Sequence, residues 1–375
     1  MNILYVLANS LRTNGGIGTA TIALQKSLAK RGHWVKFCCY KAKIDKDSFL
    51  LPDSLNVKSR ENIKFLNNLI KMENTDIIVN QFGQEKDFCF LCSKAKTETK
   101  AKLVTCHHFA LLMFLQIRTG LIAKILPKFL VYKLKKIREL KFRNFAYDNS
   151  DRLVLLSNKF VDQYKKLVPD KDLSKLAAIP DPIVFESPKI NLQKKQKTIL
   201  FVGRIVENQK RISLIIELWR QICNLEKYAE WDLKIVGDGE DLCSLKQSTT
   251  DLPRIFFEGY QSPVSYYENA SIFLMCSEIN FEGFGMVLIE AQSCGCVPVV
   301  MDTWESLSDI IDDEENGFIV PNNDMISFVD RTKRLMDCTV LRHRMMQNGI
   351  ESSKKFNVDK LVLEWEKLFF EVMNA

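Results

Sequence analysis

Two glutamates frame a glycine-rich segment at residues 278–291, Glu-Ile-Asn-Phe-Glu-Gly-Phe-Gly-Met-Val-Leu-Ile-Glu-Ala. Glu282 lies beside Gly283 and Gly285, and Glu290 follows eight residues later in a helix-like stretch. A helix that begins at these glycines directs its free N–H groups and its positive dipole end at the loop, which suits a phosphate. Carboxylate oxygens pair well with vicinal sugar hydroxyls. The spacing therefore predicts a site for a nucleotide sugar, which carries a diphosphate between two polyols.

Cations follow the strand-like segment 198–202 and suit the same diphosphate. Arg204 comes directly after Gly203, and Lys210 and Arg211 lie further along the same loop. An Arg side chain grips a phosphate with its planar fork, whereas Lys supplies a compact charge. An exposed, solvated pair is the alternative for Lys210 and Arg211, and this loop alone does not exclude it.

The first loop, residues 9–19, contains Gly15, Gly16 and Gly18 and precedes a helix-like segment. Glycines there allow backbone N–H groups to approach an anion at the start of a helix. A dinucleotide-binding fingerprint does not fit, because Thr21 occupies the place of its third Gly or Ala and no acidic residue ends the second strand. A flexible loop before a helix is the alternative.

Two of the four histidines, His107 and His108, follow the strand-like segment 103–106. At the carboxyl end of a strand they could hydrogen-bond a hydroxyl or phosphate group of a substrate. A pair of structural polar residues at a strand end is the alternative.

Strand-like and helical segments alternate along the chain, which is typical of α/β domains with parallel sheets. The segments predicted as strands are 3–8, 34–40, 76–80, 103–106, 152–156, 176–179, 198–202, 232–236, 254–257, 271–276 and 297–301. The helices predicted with most support are 18–31, 212–224, 285–293, 325–336 and 358–372.

The pattern restarts after a polar, Lys-rich segment at 187–197. We therefore predict domains at 1–187 and 188–355, and a last helical segment, 356–375, that packs back on the first domain. Parallel sheets bind ligands at the carboxyl ends of their strands, so we expect the site in a cleft between the domains.

The first domain is basic and the second is acidic. Residues 1–187 carry 32 Lys and Arg against 17 Asp and Glu, whereas residues 188–375 carry 21 against 29. Such a basic half indicates an anionic partner. In residues 124–143 one acid, Glu139, stands against eight cations: Lys124, Lys128, Lys133, Lys135, Lys136, Arg138, Lys141 and Arg143. Interleaved apolar residues predict an amphipathic helix at an anionic membrane surface, or one packed on its own domain.

No apolar run approaches the ~18 residues that a membrane span needs. The apolar segment 3–8 is too short for a signal peptide, and the 11 scattered cysteines are typical of reduced thiols. We expect a cytoplasmic protein, with peripheral attachment to the cytoplasmic face of a membrane as an option.

Taken together, these motifs resemble the family 4 retaining glycosyltransferases of the GT-B fold. The resemblance covers essentially the whole chain and is densest over residues 198–320. Its motifs are the glycine pair at 15–16 with Ile17, Val-Gly-Arg at 202–204 with Lys210, Ile-Val-Gly-Asp-Gly at 235–239, Phe-Glu-Gly-Tyr at 257–260, the segment 282–290, Cys-Gly-Cys-Val-Pro at 294–298 and Asn-Gly at 316–317. It implies two Rossmann-like domains whose parallel sheets face an interdomain cleft.

The resemblance further implies transfer from a nucleotide-diphosphate sugar, with UDP or GDP, to a glycan or lipid-linked acceptor in polysaccharide or lipopolysaccharide synthesis. The anomeric configuration would be retained, and neither a metal ion nor a resident cofactor would be needed. The residues implied are His107 near the transferred sugar, Gly16, Arg204 and Lys210 at the diphosphate, Gly259 and Tyr260 near the base, Glu282 at the sugar, Phe284, Gly285, Met286 and Val287 around the sugar and phosphate, and Glu290 at the ribose.

Three alternative functions are also considered. A nucleotide-sugar epimerase of GT-B-like fold would turn over the donor alone, and a non-enzymatic two-lobed sugar-binding protein would turn over nothing. Nucleic-acid binding through the basic half lacks any recognisable signature. The acidic run 312–315 precedes Asn316 and Gly317, so a solvated turn explains it better than a metal site does.

Overall fold

The computed structural model describes residues 1–8, 16–42, 48–113, 127–168, 171–185 and 190–375. The chain divides into two compact units, Met1–Val184 together with Phe356–Ala375, and Phe185–Lys355. The boundary predicted between residues 187 and 188 falls outside the described residues. Phe185 belongs to the second unit, where its ring stacks on Tyr267 at 6.5 Å between centroids.

The first unit contains a parallel sheet of seven strands in its described residues, in the order β3-β2-β1-β4-β5-β6-β7. The strands are β1 (Asn2–Leu7), β2 (Trp34–Cys39), β3 (Phe49–Leu50), β4 (Ile77–Asn80), β5 (Lys102–His107), β6 (Arg152–Leu155) and β7 (Leu176–Ala178). The helices are α1 (Gly16–Lys30), α2 (Arg60–Met72), α3 (Lys86–Ala95), α4 (Lys128–Asp148), α5 (Asn158–Leu167) and, from the end of the chain, α14 (Val358–Asn374).

The last helix, α14, completes the core of the first unit. Leu361, Trp365 and Phe369 are buried in the same apolar cluster as β1 and β4. Glu366 lies beside this apolar stripe and pairs with Arg31 and with His33, each at 2.8 Å. The apolar face of α14 therefore packs on strands that lie more than 270 residues earlier in the chain.

The second unit contains a parallel sheet of six strands in the order β10-β9-β8-β11-β12-β13. The strands are β8 (Thr198–Val202), β9 (Asp232–Val236), β10 (Ile255–Gly259), β11 (Ile272–Met275), β12 (Val297–Met301) and β13 (Phe318–Val320). The helices are α6 (Glu207–Lys210), α7 (Ile212–Ile222), α8 (Leu242–Gln247), α9 (Val264–Asn269), α10 (Met286–Ser293), α11 (Leu307–Ile310), α12 (Met325–Asp337) and α13 (Thr339–Ser353).

Both sheets are doubly wound: the second has the strand order 3-2-1-4-5-6, and the first has this order with a seventh strand at its edge. In each sheet the strand order reverses between the first and fourth strands, which are neighbours and parallel. The prediction of two α/β, Rossmann-like domains with parallel sheets is confirmed. Ligands of such sheets bind outside the carboxyl ends of the strands at this reversal. In the second unit that position lies between the ends of β8 and β11.

Several elements differ from the prediction. Strands β3 and β13 were not expected, because two and three residues are too short to show a period. Helix α13 was also missed, since Arg342 and Gly349 interrupt the apolar pattern on its buried side. Strand β5 includes His107, which was expected to follow the strand.

Candidate active site

The carboxyl ends of β8 and β11 bring two of the predicted donor residues, Lys210 and Glu282, into contact. Lys210, at the end of α6, and Ser277, just after β11, both donate to Oε1 of Glu282. The Glu282 carboxylate is almost fully buried, and the two donors satisfy one of its oxygens there. A backbone bond from Glu278 N–H to the carbonyl of Gln209, at 2.8 Å, ties the two loops together. A cation and a carboxylate are thereby held side by side at the strand reversal.

Arg211 has a different role from its neighbour Lys210. It adopts a left-handed conformation, with φ at +48°, between α6 and α7. Its guanidinium donates to the carbonyls of Cys276 and Ser277, at 2.5 and 2.9 Å, and to Asn322 Oδ1 at 2.9 Å. The paired cations considered from the sequence are therefore separated: Arg211 fixes the chain leaving β11, and Lys210 faces Glu282. Arg204 is exposed.

Helix α10 begins at the glycine loop as the sequence predicts, one residue later than expected. Gly285 has φ at +97°, which a residue with a side chain rarely adopts. No side chain caps α10, so its first N–H groups, those of Met286 and Val287, face the loop. Phe284 is buried beneath them. This arrangement supplies backbone donors and a dipole end for an anion.

Glu290 lies one turn into α10 and is buried. The hydroxyl of Tyr267 donates to its Oε2 at 3.2 Å. Burial raises the pKa of Glu290 to about 7, and the hydrogen bond from Tyr267 opposes part of that rise. A buried carboxylate with spare acceptor capacity suits two adjacent hydroxyl donors.

Two glycines that sequence reasoning gave no role prove essential to the site. A Cβ on Gly237 would lie 1.8 Å from the carbonyl oxygen of Gly203, and a Cβ on Gly239 would lie 2.1 Å from that of Ile205. The loops after β8 and β9 therefore touch through their backbones, and this contact places Arg204. The signal was the Gly-x-Gly spacing directly after a strand.

Gly259 and Tyr260 continue the same row of loops. Gly259, with φ at +68°, accepts a bond from Gly237 N–H at 2.8 Å. Tyr260 is 84% exposed, so its ring is available to a ligand. The structure thus brings the loops after β8, β9 and β10 to one edge of the second sheet.

In the first unit His107 is buried against Arg143. The guanidinium can only donate, so Nη1 donates to Nε2 of His107, at 3.4 Å. Arg143 also donates to the carbonyl of Leu111 at 2.7 Å and pairs with Glu139 at 2.8 Å. Burial, and then the charges of Arg143 and His108, hold the pKa of His107 well below its usual 6.5, so the ring is neutral.

This contact corrects one part of the basic-helix prediction. Arg143 was counted among the cations that would face an anionic membrane surface, but it is buried and donates to His107 at the end of β5. Residues 124–126 and the side chain of Lys128 lie outside the described part of the chain. Helix α4 begins directly after Pro127.

His108 is also buried and bridges two polar side chains. Its Nε2 lies 2.6 Å from Gln81 Oε1, and its Nδ1 lies 3.3 Å from Asp181 Oδ1. Gln81 follows β4 and Asp181 follows β7, so the cluster links the carboxyl ends of three strands. Gly16 begins α1, and residues 9–15 of the preceding loop lie outside the described residues.

Within the described ranges, no group of three or more His, Cys, Asp or Glu side chains is arranged to hold a metal ion. Among the helices described above, none combines the length and the apolar character needed to cross a bilayer.

The chain is similar to known glycosyltransferases. Residues 184–352 match the family described as glycosyl transferases group 1. An uncharacterized glycosyltransferase of Haemophilus influenzae is 30% identical over 184 residues, which are 48% of this chain and 51% of that one. A Campylobacter jejuni protein is 24% identical over the full length of both chains: "GalNAc-alpha-(1->4)-GalNAc-alpha-(1->3)-diNAcBac-PP-undecaprenol alpha-1,4-N-acetyl-D-galactosaminyltransferase".

The solved structure of Anabaena HepE in complex with UDP has the same fold, with a TM-score of 0.76 at 14% identity over 99% of this chain and 100% of that one. The two doubly wound parallel sheets and this likeness show that the chain has the GT-B fold. The second unit carries the group 1 glycosyl transferase domain. The resemblance to the family 4 glycosyltransferases of this fold is thereby confirmed.

Proposed function

We propose that this protein transfers a sugar from a UDP- or GDP-sugar to a lipid-linked glycan, with retention of anomeric configuration and without a metal ion. In this proposal the second unit binds the donor, the first unit binds the acceptor, and the reaction builds a cell-surface polysaccharide or lipopolysaccharide at the cytoplasmic face of the membrane.

The observation that carries the proposal is the Lys210–Glu282 pair at the reversal of the second sheet. A donor diphosphate would rest between Lys210, Arg204 and the first N–H groups of α10. Lys210 donates to Oε1 of Glu282. A phosphate would share the ammonium group of Lys210 with this carboxylate, and one carboxylate oxygen would then accept from a sugar hydroxyl. Glu290 would accept both ribose hydroxyls. We also propose that Gly16, at the start of α1, binds phosphate through its backbone N–H.

The chemistry needs little more than positioning and charge. The bond between the anomeric carbon and the phosphate oxygen breaks, and the acceptor oxygen attacks the same face of the sugar. The leaving phosphate takes the acceptor proton, so no protein group has to ionise. Lys210 and Arg204 stabilise the charge that develops on the departing diphosphate. His107 is neutral, which suits hydrogen bonding to the sugar once a sugar hydroxyl replaces Arg143 as its partner.

Helix α4 supports attachment to a membrane surface. Large apolar side chains on it are exposed, among them Phe129 at 72% and Leu134 at 52%. Lys133, Arg138 and Lys141 are exposed between them. Each cation near an anionic surface contributes about 1 kcal/mol, so several give reversible attachment. The name of the Campylobacter relative, which includes PP-undecaprenol, supports a lipid-linked acceptor.

A nucleotide screen tests the donor site. Apparent stability is measured with UDP, GDP, ADP, CMP and dTDP, each with and without magnesium, since a ligand of the native state raises it. We expect one nucleoside diphosphate to stabilise the wild type without magnesium and to fail with Glu290→Ala. No response to any of them would contradict the donor site, and conversion of a donor to its epimer without acceptor would indicate an epimerase instead.

Vesicle sedimentation tests the membrane surface. The protein should bind vesicles of phosphatidylglycerol at low salt and release them at high salt. Phe129→Ser with Lys133→Gln should abolish binding, whereas Lys360→Gln on the first turn of α14 should not. Equal binding by both variants would contradict a role for α4.

A further inference from the structure

One face of the second sheet carries polar and aromatic side chains at the end opposite the donor site. The residues of β8 and β9 that enter the core are Ile199, Phe201, Leu233 and Ile235. The residues between them face the other side of the sheet. There the strand register pairs Thr198 with Asp232 and Lys234 with Phe256. Phe256 is 46% exposed, so this face is only partly covered.

A polar cavity of about 140 Å³ opens beside these side chains, between the sheet and α9. Thr198, Lys234, Gln196 and Tyr266 belong to its lining. The hydroxyl of Thr198 and Oδ1 of Asp232 are both buried without a hydrogen-bond partner in the described residues. Buried polar groups without partners are rare and destabilising. Thr198 lines the cavity and Asp232 lies opposite it on β9, so an occupant that both donates and accepts hydrogen bonds would suit this face of the sheet.

The charged side chains around the cavity indicate whether its ligand is charged or neutral. Lys234 would favour an anion, but Asp232 stands two residues earlier on the same strand and face, and Glu258 lies nearby on β10 as the acceptor of Tyr266. A neutral polyol avoids repulsion by these carboxylates. Each of its hydroxyls can accept from an ammonium group and donate to a carboxylate.

The exposed ring of Phe256 indicates which kind of polyol would bind. Phe256 lies opposite Lys234 across the β9–β10 pair, and Lys234 lines the cavity, so the ring and the cavity are neighbours on one face of the sheet. The C–H face of a pyranose ring packs on an exposed aromatic ring, while the hydroxyls at its edge remain free to enter a polar cavity. A volume of about 140 Å³ accommodates part of one sugar unit rather than an oligosaccharide, so the rest of a chain would lie along the surface.

We propose that this face is a second carbohydrate-binding site, which holds a neutral glycan chain with one sugar stacked on Phe256 and the hydroxyls of the next directed at Thr198, Asp232 and Lys234. Thr198 begins β8 and Arg204 follows its end, so six residues at ~3.3 Å each separate this site from the donor site by about 20 Å. Binding here does not depend on transfer activity. Only the choice of a cell-surface glycan as the natural ligand rests on the proposed function.

The test measures glycan binding with the donor site occupied by UDP or GDP. Maltoheptaose, dextran and N-acetylchitohexaose serve as neutral probes, and binding is followed by saturation-transfer NMR and by retardation in dextran gels. We expect millimolar binding of at least one probe by the wild type. Phe256→Ala should weaken it at least tenfold, and Thr198→Val, which removes only the hydroxyl, should weaken it as well. Phe370→Ala is the matched control, because Phe370 is 55% exposed on α14.

Several outcomes would overturn the proposal. These are no binding of any probe by the wild type, equal loss in the Phe256 and Phe370 variants, or displacement of the probe by inorganic phosphate, which would indicate an anion site. Lys210→Ala separates the two sites. It should abolish nucleotide binding and leave glycan binding unchanged, so failure of the donor assignment and failure of this one are told apart.

Discussion

Glu290→Gln separates the electrostatic cost of a buried carboxylate from its proposed use in binding ribose. Glu290 is 8% exposed in α10, with Tyr267 as its hydrogen-bond donor. Burial raises its pKa from an ordinary value of 4.5 to about 7. The glutamine side chain has the same shape and keeps an acceptor for Tyr267, but it carries no charge at any pH.

The raised pKa gives the free energy of unfolding a definite dependence on pH. Between 4.5 and about 7 the native state keeps a proton that the unfolded state has lost, so stability falls as the pH rises through this range. One pKa unit corresponds to about 1.4 kcal/mol, so the full cost is about 3 kcal/mol above the folded pKa. About a quarter of this destabilisation is already present near pH 5. Relative to wild type, Glu290→Gln should therefore gain about 2–3 kcal/mol between about pH 5 and about pH 8.

Urea unfolding of the ligand-free protein at these two pH values measures the effect. Glu371→Gln is the control, because Glu371 is exposed on α14 and its substitution should alter stability equally at both. Nucleotide binding should weaken in Glu290→Gln, because an amide NH2 group, which cannot accept a hydrogen bond, replaces one of the two carboxylate oxygens that would accept from the ribose hydroxyls. If the stability difference between wild type and Glu290→Gln is the same at both pH values, the carboxylate is not raised by burial and the reasoning fails.

Three further substitutions test other parts of the structure. Gly237→Ala should lower the free energy of unfolding by about 3 kcal/mol or more, because its Cβ would meet a carbonyl oxygen at 1.8 Å. Gly32→Ala is the control: Gly32 has φ at +88° but open space around it, so the substitution should cost only about 1 kcal/mol. Urea unfolding measures both. Lys210→Met should weaken nucleoside diphosphate binding at least tenfold in calorimetry, about 1.4 kcal/mol, while circular dichroism stays unchanged. Arg143→Gln should raise the pKa of His107 by removing a neighbouring positive charge, which an NMR titration of the imidazole detects; an unchanged value would contradict the contact.

Much of the geometry of the proposed donor site was predictable because its residues are close in sequence. Glu282, Gly285 and Glu290 lie within nine residues, so a strand, a glycine loop and a helix start fix their relative positions by local geometry alone. The left-handed φ of Gly285 is likewise a local requirement that glycine satisfies. Arg204 could be placed by the same reasoning, since it directly follows a strand.

The roles of Arg211 and Arg143 could not be predicted. Arg211 is adjacent to Lys210, and the sequence offers no reason to separate them. The left-handed turn at Arg211 directs its guanidinium to carbonyls after β11, a strand that lies sixty residues further along the chain. Arg143 is one of eight cations in the segment 124–143, and nothing in the sequence distinguishes it from those that face solvent. Only the tertiary structure places its guanidinium against His107 at the end of β5.

The two parallel sheets and the glycine-loop helix could be predicted from the sequence alone, because apolar runs, helical periods and short motifs act over a few residues. The class of enzyme followed from the resemblance of these motifs to a known family. The tertiary structure alone decided which polar groups meet across strands. It placed Lys210 against Glu282, Gly237 against Gly203, and Thr198 beside Asp232 at the far end of the same sheet. Such contacts depend on strand order and register, which are set by how whole elements bury their apolar faces.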